Sequence, residues 1–277
     1  MRLIIKTFFK KIFFFVLNLL SPKLSCDLNN IRQKFFCRNI FFHYDKSLNL
    51  YYVCEENLKM YFPDRLRGIH TYSYGIMNRA TQLIQTYNLE LIKFSNNDVV
   101  IDCGANYGDL YTWLKSKDLN INYISFEPSP LEFKCLQLNC LNQNNNNIAL
   151  SDINGDINFF LKTDSGDSST IEPSTGYTEK IKVKSCTLSS YVLNNKIQKI
   201  KFLKIEAEGS EPEVLKGSKE ILSRVDYIGV DGSPERGIKN ETTIDYAIEF
   251  LNKNGFKVEA SNINKNYAKA LFKNKNI

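Results

Sequence analysis

From Phe94 onwards, short apolar segments of strand length alternate with segments of helical periodicity. Strand-like runs occur at 98–103, 121–128, 200–209 and 226–233, and a helical segment follows each of them. Such alternation is typical of a parallel sheet, because a crossover connection must carry the chain back to the same end of the sheet before the next strand. We therefore expect an α/β fold whose Rossmann-like sheet has helices on both faces.

The remaining segments are less regular. Residues 1–90 combine helical periodicity with a short strand pair at 51–63, and the chain ends in two β-like segments that predict an antiparallel hairpin. The asparagine-rich run 142–147 is predicted to be a polar loop without chemistry of its own. We expect three divisions: an amphipathic N-terminal helix at 1–22, a cap region at 23–90, and the sheet domain at 91–277. The first two together form an N-terminal helical region.

The first 22 residues combine basic side chains with an apolar stretch at 12–20. A secretory signal is disfavoured because a Pro-Lys pair interrupts the region and no small-residue cleavage site follows. A membrane-spanning helix needs about 20 apolar residues, and lysines interrupt the only candidate. Arg2, Lys6 and Lys10 instead recur every four residues along one face, as in a helix that lies at a membrane surface. A helix that packs on the domain remains an equal alternative.

Charge and cysteine content exclude several classes of protein. The net charge is +6, yet no long block of Lys and Arg indicates nucleic-acid binding. The seven cysteines include no Cys-x-x-Cys pair, and the two histidines lack zinc-ligand spacing. Reduced thiols favour a cytoplasmic protein, located at the inner face of the membrane if the N-terminal helix binds there.

A glycine-containing loop, DCGANYGD, follows the first strand of the expected sheet. Ligands of such sheets bind beyond the carboxyl ends of the strands. Gly104 would allow a close approach to a ligand, and Gly108 would let the next helix start tight against the strand. Asn106 replaces the middle glycine of the dinucleotide fingerprint, and Asp102 would repel a phosphate. The loop therefore disfavours NAD and favours a cationic cofactor such as S-adenosylmethionine, which carries an ammonium and a sulfonium.

An acidic residue follows the loop at a suitable distance. Glu127 ends the second strand, 19 residues after Gly108. A carboxylate about 20 residues beyond the glycine loop accepts hydrogen bonds from ribose hydroxyls. The alternative is a similar sheet whose site is vacant or unrelated.

Three charged residues alternate along a strand that is otherwise apolar. Lys204, Glu206 and Glu208 share one face of the run 200–209, where unpaired charges would be costly. A structural ion pair is the preferred interpretation of Lys204 and Glu206. Glu208 lies at the carboxyl end, where a substrate should bind, and a role in the site is preferred for it.

Five stretches, in the order VIDCGANYGDLY, FEPSPLEFKCLQLN, ALSDINGDINFF, SST and FLKIEAEGSEPEVLKGS, together resemble the FkbM-type methyltransferase family between residues 98 and 222. The resemblance implies a class I methyltransferase sheet and an S-adenosylmethionine-dependent enzyme that methylates hydroxyls of sugars or secondary metabolites. It implies that seven residues bind the cofactor and that Glu208 corresponds to the acidic residue of the Glu-Gly pair in the family. The seven are Asp102, Gly104, Asn106, Gly108, Glu127, Ser151 and Asp152, the last two beside the adenine.

Two positions depart from the family pattern. Ser189 replaces the acid of a Thr-Leu-Asp segment, and Glu206 replaces an Asp.

A hydroxyl acceptor requires a base that takes its proton. Glu208 and Asp231 are the candidates for this base. His70 is expected in a loop that could cover the site, and it is a less favoured candidate. No metal is included in the expected site, although Glu208 and Asp231 could hold a divalent ion. An NAD or nucleotide-sugar enzyme and a catalytically degenerate membrane-surface protein remain the alternatives.

Overall fold

The computed structural model describes residues 12–162 and 166–277. The chain forms two compact units, Met1–Arg79 and Ala80–Ile277, whereas the sequence suggested a division near residue 90. The basic stripe at Arg2, Lys6 and Lys10 lies outside the described residues.

The N-terminal unit contains helices and a small antiparallel sheet. Residues 12–19 are helical and form α1. The elements that follow are α2 (Pro22–Phe35), β1 (Ile40–Asp45), β2 (Leu50–Glu55), β3 (Leu58–Phe62), α3 (Arg65–Thr71) and the start of α4 (Ile76–Thr86).

The three strands form one meander in the order β1-β2-β3. Alternate side chains such as Phe42, Val53 and Met60 are buried on one face of it, which is the period expected of a half-buried sheet. The predicted strand pair at 51–63 is therefore confirmed. The description of this region as helical was incomplete, because β1 adds a third strand. His70 lies in the last turn of α3 and not in a loop.

The C-terminal unit carries the alternating elements. In chain order they are β4 (Val99–Cys103), α5 (Asp109–Lys115), β5 (Asn122–Phe126), α6 (Pro130–Asn139), β6 (Asn144–Asn146), β7 (Ala149–Leu150), β8 (Gly155–Leu161), β9 (Glu179–Cys186), α7 (Leu188–Asn194), β10 (Ile200–Ile205), α8 (Glu211–Gly217), β11 (Val225–Asp231), α9 (Ile244–Lys253), β12 (Phe256–Ile263) and β13 (Ala268–Asn274). Single 3-10 segments occupy Leu89–Leu91 and Lys219–Arg224.

Seven strands form the main sheet, in the order β12-β13-β11-β10-β4-β5-β6. The strands from β11 to β6 are parallel, and β13 is antiparallel to both of its neighbours. The chain builds outwards from β4 to β6 and then returns to add β10 on the other side of β4, so the strand order reverses between β4 and β10. The expected Rossmann-like sheet and its antiparallel C-terminal hairpin are confirmed.

Both faces of the central strands are buried. Ile101 and Leu203 contribute to one apolar cluster, whereas their neighbours Val100 and Phe202 contribute to a second cluster. This two-sided burial explains why these strands are read as continuous apolar runs in the sequence.

The asparagine run was wrongly predicted to be a plain loop. Asn144–Asn146 pairs with β5 as an edge strand of the main sheet, although asparagine is depleted in strands. Side-chain hydrogen bonds compensate, because Ser125 Oγ donates to Asn145 Oδ1 at 2.6 Å and Asn147 Nδ2 donates to Glu127 O at 2.8 Å. The short strand β7, which follows soon after β6, pairs with β9 in a smaller sheet, β7-β9-β8.

All seven cysteines are free thiols. Within 12–162 and 166–277, no helix has both the length and the apolar character required to cross a membrane.

Candidate functional site

The loop after β4 has an unusual backbone. Gly104, Asn106 and Gly108 have φ values of 72°, 51° and 93°, in the left-handed region that glycine adopts readily and asparagine tolerates. The N–H groups of Gly104 and Ala105 donate to Phe126 O at 3.0 and 3.1 Å. Because the loop uses these donors internally, it does not form the row of free N–H groups that a pyrophosphate requires.

The two glycines are required by neighbouring protein atoms. A Cβ on Gly104 would overlap the carbonyl oxygen of Glu206, and a Cβ on Gly108 would overlap Cys140 Sγ. Both glycines thus have a steric reason within the protein, and their roles in the approach of a cofactor and in the start of the next helix stay predictions. Gly104 allows the extension of β10 to pass close to the loop, and Gly108 allows the loop to pack on the end of α6.

Asp102 is buried and bound by protein partners on both carboxylate oxygens. Lys204 Nζ donates to Oδ1 at 2.9 Å, and Tyr123 OH donates to Oδ2 at 2.6 Å. Lys204 also donates to Gly104 O at 2.9 Å and forms an ion pair with Glu206 Oε2 at 2.9 Å. The structural pair of Lys204 with Glu206 is thus present, but the negative charge of Asp102 is already compensated and does not select the ligand as expected.

A second lysine extends this network across the sheet. Lys269 on β13 forms ion pairs with Glu206 Oε1 at 3.4 Å and with Asp231 Oδ2 at 2.6 Å, and it lies over the ring of Tyr87. The other oxygen of Asp231 accepts from the N–H and hydroxyl of Ser233. Asp231 is therefore buried and paired at the end of β11.

Burial alone would lower the pKa of Lys204, but the carboxylates of Asp102 and Glu206 raise it above its ordinary value. The ammonium is thus firmly charged, and it joins the loop after β4 to the end of β10.

Glu127 is held at the end of β5, beside the same loop. Its Oε2 accepts from Asn106 N at 2.8 Å and its Oε1 accepts from Ser129 N at 2.9 Å. Burial, with a further contribution from Glu132, raises its pKa to about 7. Each oxygen accepts one backbone hydrogen bond, and a carboxylate oxygen has the capacity to accept further hydrogen bonds from a ligand.

Ser151 and Asp152 follow β7, at the end of the smaller sheet. Ser151 N donates to Cys186 O at 3.0 Å, and its hydroxyl donates to Asp152 Oδ1 at 3.3 Å. Gly217 of α8 lies against Ser151 O, where a Cβ would overlap it. The adenine contact implied by the family resemblance remains a prediction for both residues.

Glu208 lies on the loop after β10 and has a left-handed backbone, with a φ of 50°. Such a conformation costs energy for a residue other than glycine and persists only where neighbours enforce it. The hydroxyl of Ser169 donates to Glu208 O at 2.7 Å, and Thr170 and Ser210 share a hydrogen bond through their hydroxyls. The SST stretch of the family resemblance therefore supports the backbone of Glu208.

The same loop is held from its other side by Glu211, the first residue of α8. Its carboxylate accepts from Ala207 N at 2.9 Å, from Gly209 N at 3.1 Å and from the hydroxyl of Thr243 at 2.7 Å. Arg236 Nη1 donates to Gly209 O. Glu211 and Arg236 thus fix the loop that presents Glu208, and neither was identified from the sequence.

The Glu208 side chain remains partly exposed, but its surroundings disfavour its charge. Burial raises its pKa well above the ordinary value, and the nearby carboxylate of Glu235 raises it further. Glu235 has its own pKa raised to about 8, by burial and then by Asp231. Two such carboxyl groups titrate together, and one tends to retain a proton. No sequence signal indicated Glu235.

Among the described residues, no group of three or more His, Cys, Asp or Glu side chains is arranged to hold a metal ion.

Changing Glu235 to Gln should stabilise the protein in alkaline solution. Folded Glu235 keeps its proton up to about pH 8, whereas the unfolded residue loses it near 4.5, so this group lowers stability as the pH rises through that window. We expect the variant to gain about 1–2 kcal/mol at about pH 9, after allowance for partial exposure, and nothing below pH 4.5. Urea unfolding across this range measures it, with exposed Glu249→Gln as the control. An equal gain at every pH would contradict the assignment.

The sheet order, its antiparallel strand next to the edge, and the acid that follows the second central strand together define a class I methyltransferase. The family described as Methyltransferase FkbM domain matches residues 102–258, more than half of the chain. The chain belongs to the FkbM methyltransferase family. The resemblance found in the sequence is thus confirmed, and the matched region includes both loops described above.

Several solved structures are similar to the chain. Methyltransferase FkbM from Methylobacillus flagellatus KT is 14% identical, with a TM-score of 0.45, and the match covers 67% of this chain but 46% of that protein. TrmK from M. capricolum, in complex with S-adenosyl-homocysteine, is 12% identical, with a TM-score of 0.42 and coverage of 72% and 68%. This chain therefore spans about half the length of the FkbM structure. No curated protein sequence matches the chain.

Proposed function

We propose that the chain transfers a methyl group from S-adenosylmethionine to a hydroxyl of a sugar, a glycan or a secondary metabolite. The observation that carries this proposal is the pair of loops at the switch point of the sheet. The loop after β4 holds Glu127, at the end of the neighbouring strand β5, through the Asn106 N–H, and the loop after β10 presents the partly exposed Glu208, whose pKa is raised. The first suits a cofactor with ribose hydroxyls, and the second suits an acceptor that must lose a proton.

S-adenosylmethionine is the methyl donor of this family, and the residues present fit it. Glu127 can accept hydrogen bonds from ribose hydroxyls, while Asn106 Oδ1 is a buried acceptor without a hydrogen-bond partner in the described part of the chain. Such an orphaned acceptor suits an ammonium or hydroxyl donor of a ligand. When bound, the cofactor supplies an electrophilic methyl group on its sulfonium. Ser151 and Asp152 are proposed to contact the adenine.

Glu208 is proposed to accept the proton of the acceptor hydroxyl. A base functions best when its pKa lies near the working pH, and burial beside another carboxyl group is a common way to raise a Glu into that range. Because methyl transfer is an in-line displacement, the alignment of the two reactants contributes much of the rate. Lys204 assists by holding the cofactor loop and the β10 extension together. We do not assign Asp231 the role of base, since Lys269 and Ser233 occupy its carboxylate.

Titration calorimetry with S-adenosylmethionine tests the cofactor site. Glu127→Ala should weaken binding by about tenfold to a hundredfold, because hydrogen bonds to a charged acceptor contribute about 1.5–3 kcal/mol. Gly104→Asp should abolish binding, since even a Cβ at this position overlaps Glu206 O. Exposed Glu249→Ala is the matched control and should bind like the wild type.

Two results would refute this site. One is the absence of binding by wild-type protein that circular dichroism shows to be folded. The other is unchanged affinity in both variants. A parallel titration with NAD covers the alternative, because a Rossmann-like oxidoreductase would bind NAD and not S-adenosylmethionine.

A further inference from the structure

Helix α2 is polar on its buried side and apolar on its exposed side. Its buried residues are Ser25, Cys26, Asn29 and Gln33. The side-chain amides of Asn29 and Gln33 have no hydrogen-bond partner in the part of the chain that the structure describes. Leu24, Ile31 and Phe35 are exposed instead. This arrangement is the reverse of the one expected for a helix on the surface of a water-soluble domain.

Helix α1 adds a second exposed apolar face. Its Leu17 is buried, and Arg65 of α3 holds the end of the helix by donating to Leu20 O at 2.7 Å and to Asn18 O at 3.0 Å. The side chains on its open side recur at helical spacing. They are Ile12, Phe15, Val16 and Leu19.

These residues form a concentrated patch, which we call the apolar surface. Its eight members are 38% to 80% exposed, and they are Ile12, Phe15, Val16, Leu19, Leu24, Ile31, Phe35 and Phe36. The described part of the chain exposes 19 large apolar side chains in all, so nearly half of them lie within residues 12–36. Exposed apolar side chains that are concentrated in one segment in this way indicate an interaction site.

The positive charge of the sequence is concentrated in the segment that contains the apolar surface. Residues 1–39 contain eight Lys or Arg and one Asp, a net charge of +7, whereas the whole chain has a net charge of +6. The other 238 residues are therefore close to neutral, with a net charge of −1. Within the described part of that segment, residues 12–39, there are four Lys or Arg and one Asp, a net charge of +3, so a partner that covers the apolar surface would also meet basic side chains.

Arginines lie among the aromatic rings at the edge of the apolar surface. The guanidinium of Arg32 lies 4.8 Å from the ring centre of Phe13, and that of Arg38 lies 4.2 Å from the ring centre of Tyr74. Arg38 also donates to Ser73 O at 3.1 Å. The guanidinium groups themselves lie against the rings, and Arg32 Nη1 is buried without a hydrogen-bond partner in the described part of the chain.

From these observations we propose that the apolar surface binds an anionic lipid bilayer. A bilayer takes apolar side chains into the boundary between headgroups and acyl chains, and anionic headgroups attract the basic residues around them. A second copy of the chain would bring its own excess of basic residues to the same place, which favours the bilayer over self-association. The assignment concerns the location of the protein and is independent of methyl transfer.

Flotation of the full-length protein with vesicles tests the proposal. We expect the protein to float with phosphatidylcholine vesicles that contain phosphatidylglycerol, and to float much less with phosphatidylcholine alone. Raising the salt concentration should reduce binding, since salt screens the attraction to the headgroups.

Two variants separate the contributions of apolar contact and charge. Changing Phe15, Leu19, Ile31 and Phe35 to Ser should reduce vesicle binding by at least tenfold. Changing Arg32 and Lys34 to Gln should reduce the preference for phosphatidylglycerol without unfolding the protein. The control, Leu141→Ser with Ile238→Ser, removes side chains that are 65% and 75% exposed on the other unit, and it should bind like the wild type.

Failure of the wild-type protein to float would overturn the proposal, as would binding by the four-Ser variant equal to that of the control. A wild-type dimer that the four-Ser variant loses, measured by light scattering without lipid, would also overturn it and assign the apolar surface to self-association. Circular dichroism of each variant establishes that it is folded.

Discussion

Replacing Lys204 by Met is expected to lower the free energy of unfolding by about 3–5 kcal/mol, the range found when one partner of a buried ion pair is removed. Asp102 and Lys204 are both buried, and the ammonium contacts Asp102, Glu206 and Gly104 O. Methionine fills a similar volume but cannot donate to Asp102, which keeps the hydrogen bond from the hydroxyl of Tyr123. Urea unfolding at neutral pH measures the loss.

A matched pair of variants shows whether the cause is the uncompensated charge. Lys257→Met removes a lysine that is more than half exposed and whose pairing with Glu259 is long, at 3.7 Å, and it should change stability by less than about 1 kcal/mol. Adding Asp102→Asn to Lys204→Met should restore part of the lost stability, because the buried charge is then absent. If the double variant is less stable than Lys204→Met, the loss arises from packing and the electrostatic explanation is wrong.

Replacing Glu208 by Gln is expected to lower methyl transfer about 10²- to 10⁴-fold, the usual contribution of a positioned base, while the affinity for S-adenosylmethionine stays within threefold of the wild type. The amide has nearly the same shape but cannot accept the hydroxyl proton. Incorporation of labelled methyl groups into glycans extracted from cells that lack this protein measures the rate. Exposed Glu249→Gln serves as the control.

The pH profile distinguishes a base from a merely structural residue. Since the folded pKa of Glu208 is raised, the wild-type rate should increase with pH as the carboxyl group loses its proton. Removing the neighbouring charge in Glu235→Gln should shift that increase to lower pH. Retained transfer in Glu208→Gln, or a tenfold loss of cofactor affinity, would reject the assignment. Absence of transfer by the wild-type enzyme to any extracted glycan would reject the proposed class of acceptor.

The main sheet could be predicted because its central strands are buried on both faces. Ile101 and Leu203 therefore belong to apolar runs that are bounded by turn residues, and a strand can be recognised from such a run without knowledge of its partner strand. The edge strand Asn144–Asn146 could not be predicted in this way, because its pairing depends on side-chain bonds to residues about 20 positions away. Strand β1 was also missed, although its partner strand β2 was part of the predicted strand pair at 51–63.

The residues of the candidate site also differ in whether the sequence could identify them. Glu127 and Glu208 were predicted as site residues from their positions at strand ends and in the family stretches. Asp102 is paired with Lys204, which lies 102 residues away, and sequence spacing contains no information about that contact. Glu211 lies within one of the family stretches, but its role as an acceptor for the loop depends on tertiary contacts. Glu235 lies outside those stretches, and its effect arises from burial and repulsion by neighbouring carboxylates. Conformations such as the left-handed backbone of Glu208 likewise result from tertiary contacts.

The ammonium of Lys204 links the two halves of the proposed reaction, since it contacts the carbonyl of Gly104 on one side and the carboxylate of Glu206 on the other. Changes to the β10 extension that recruit a different acceptor will therefore also alter the strand end that carries the methyl donor. Acceptor preference in this protein should evolve more readily through parts of the chain that contact neither this lysine nor the backbone of Glu208.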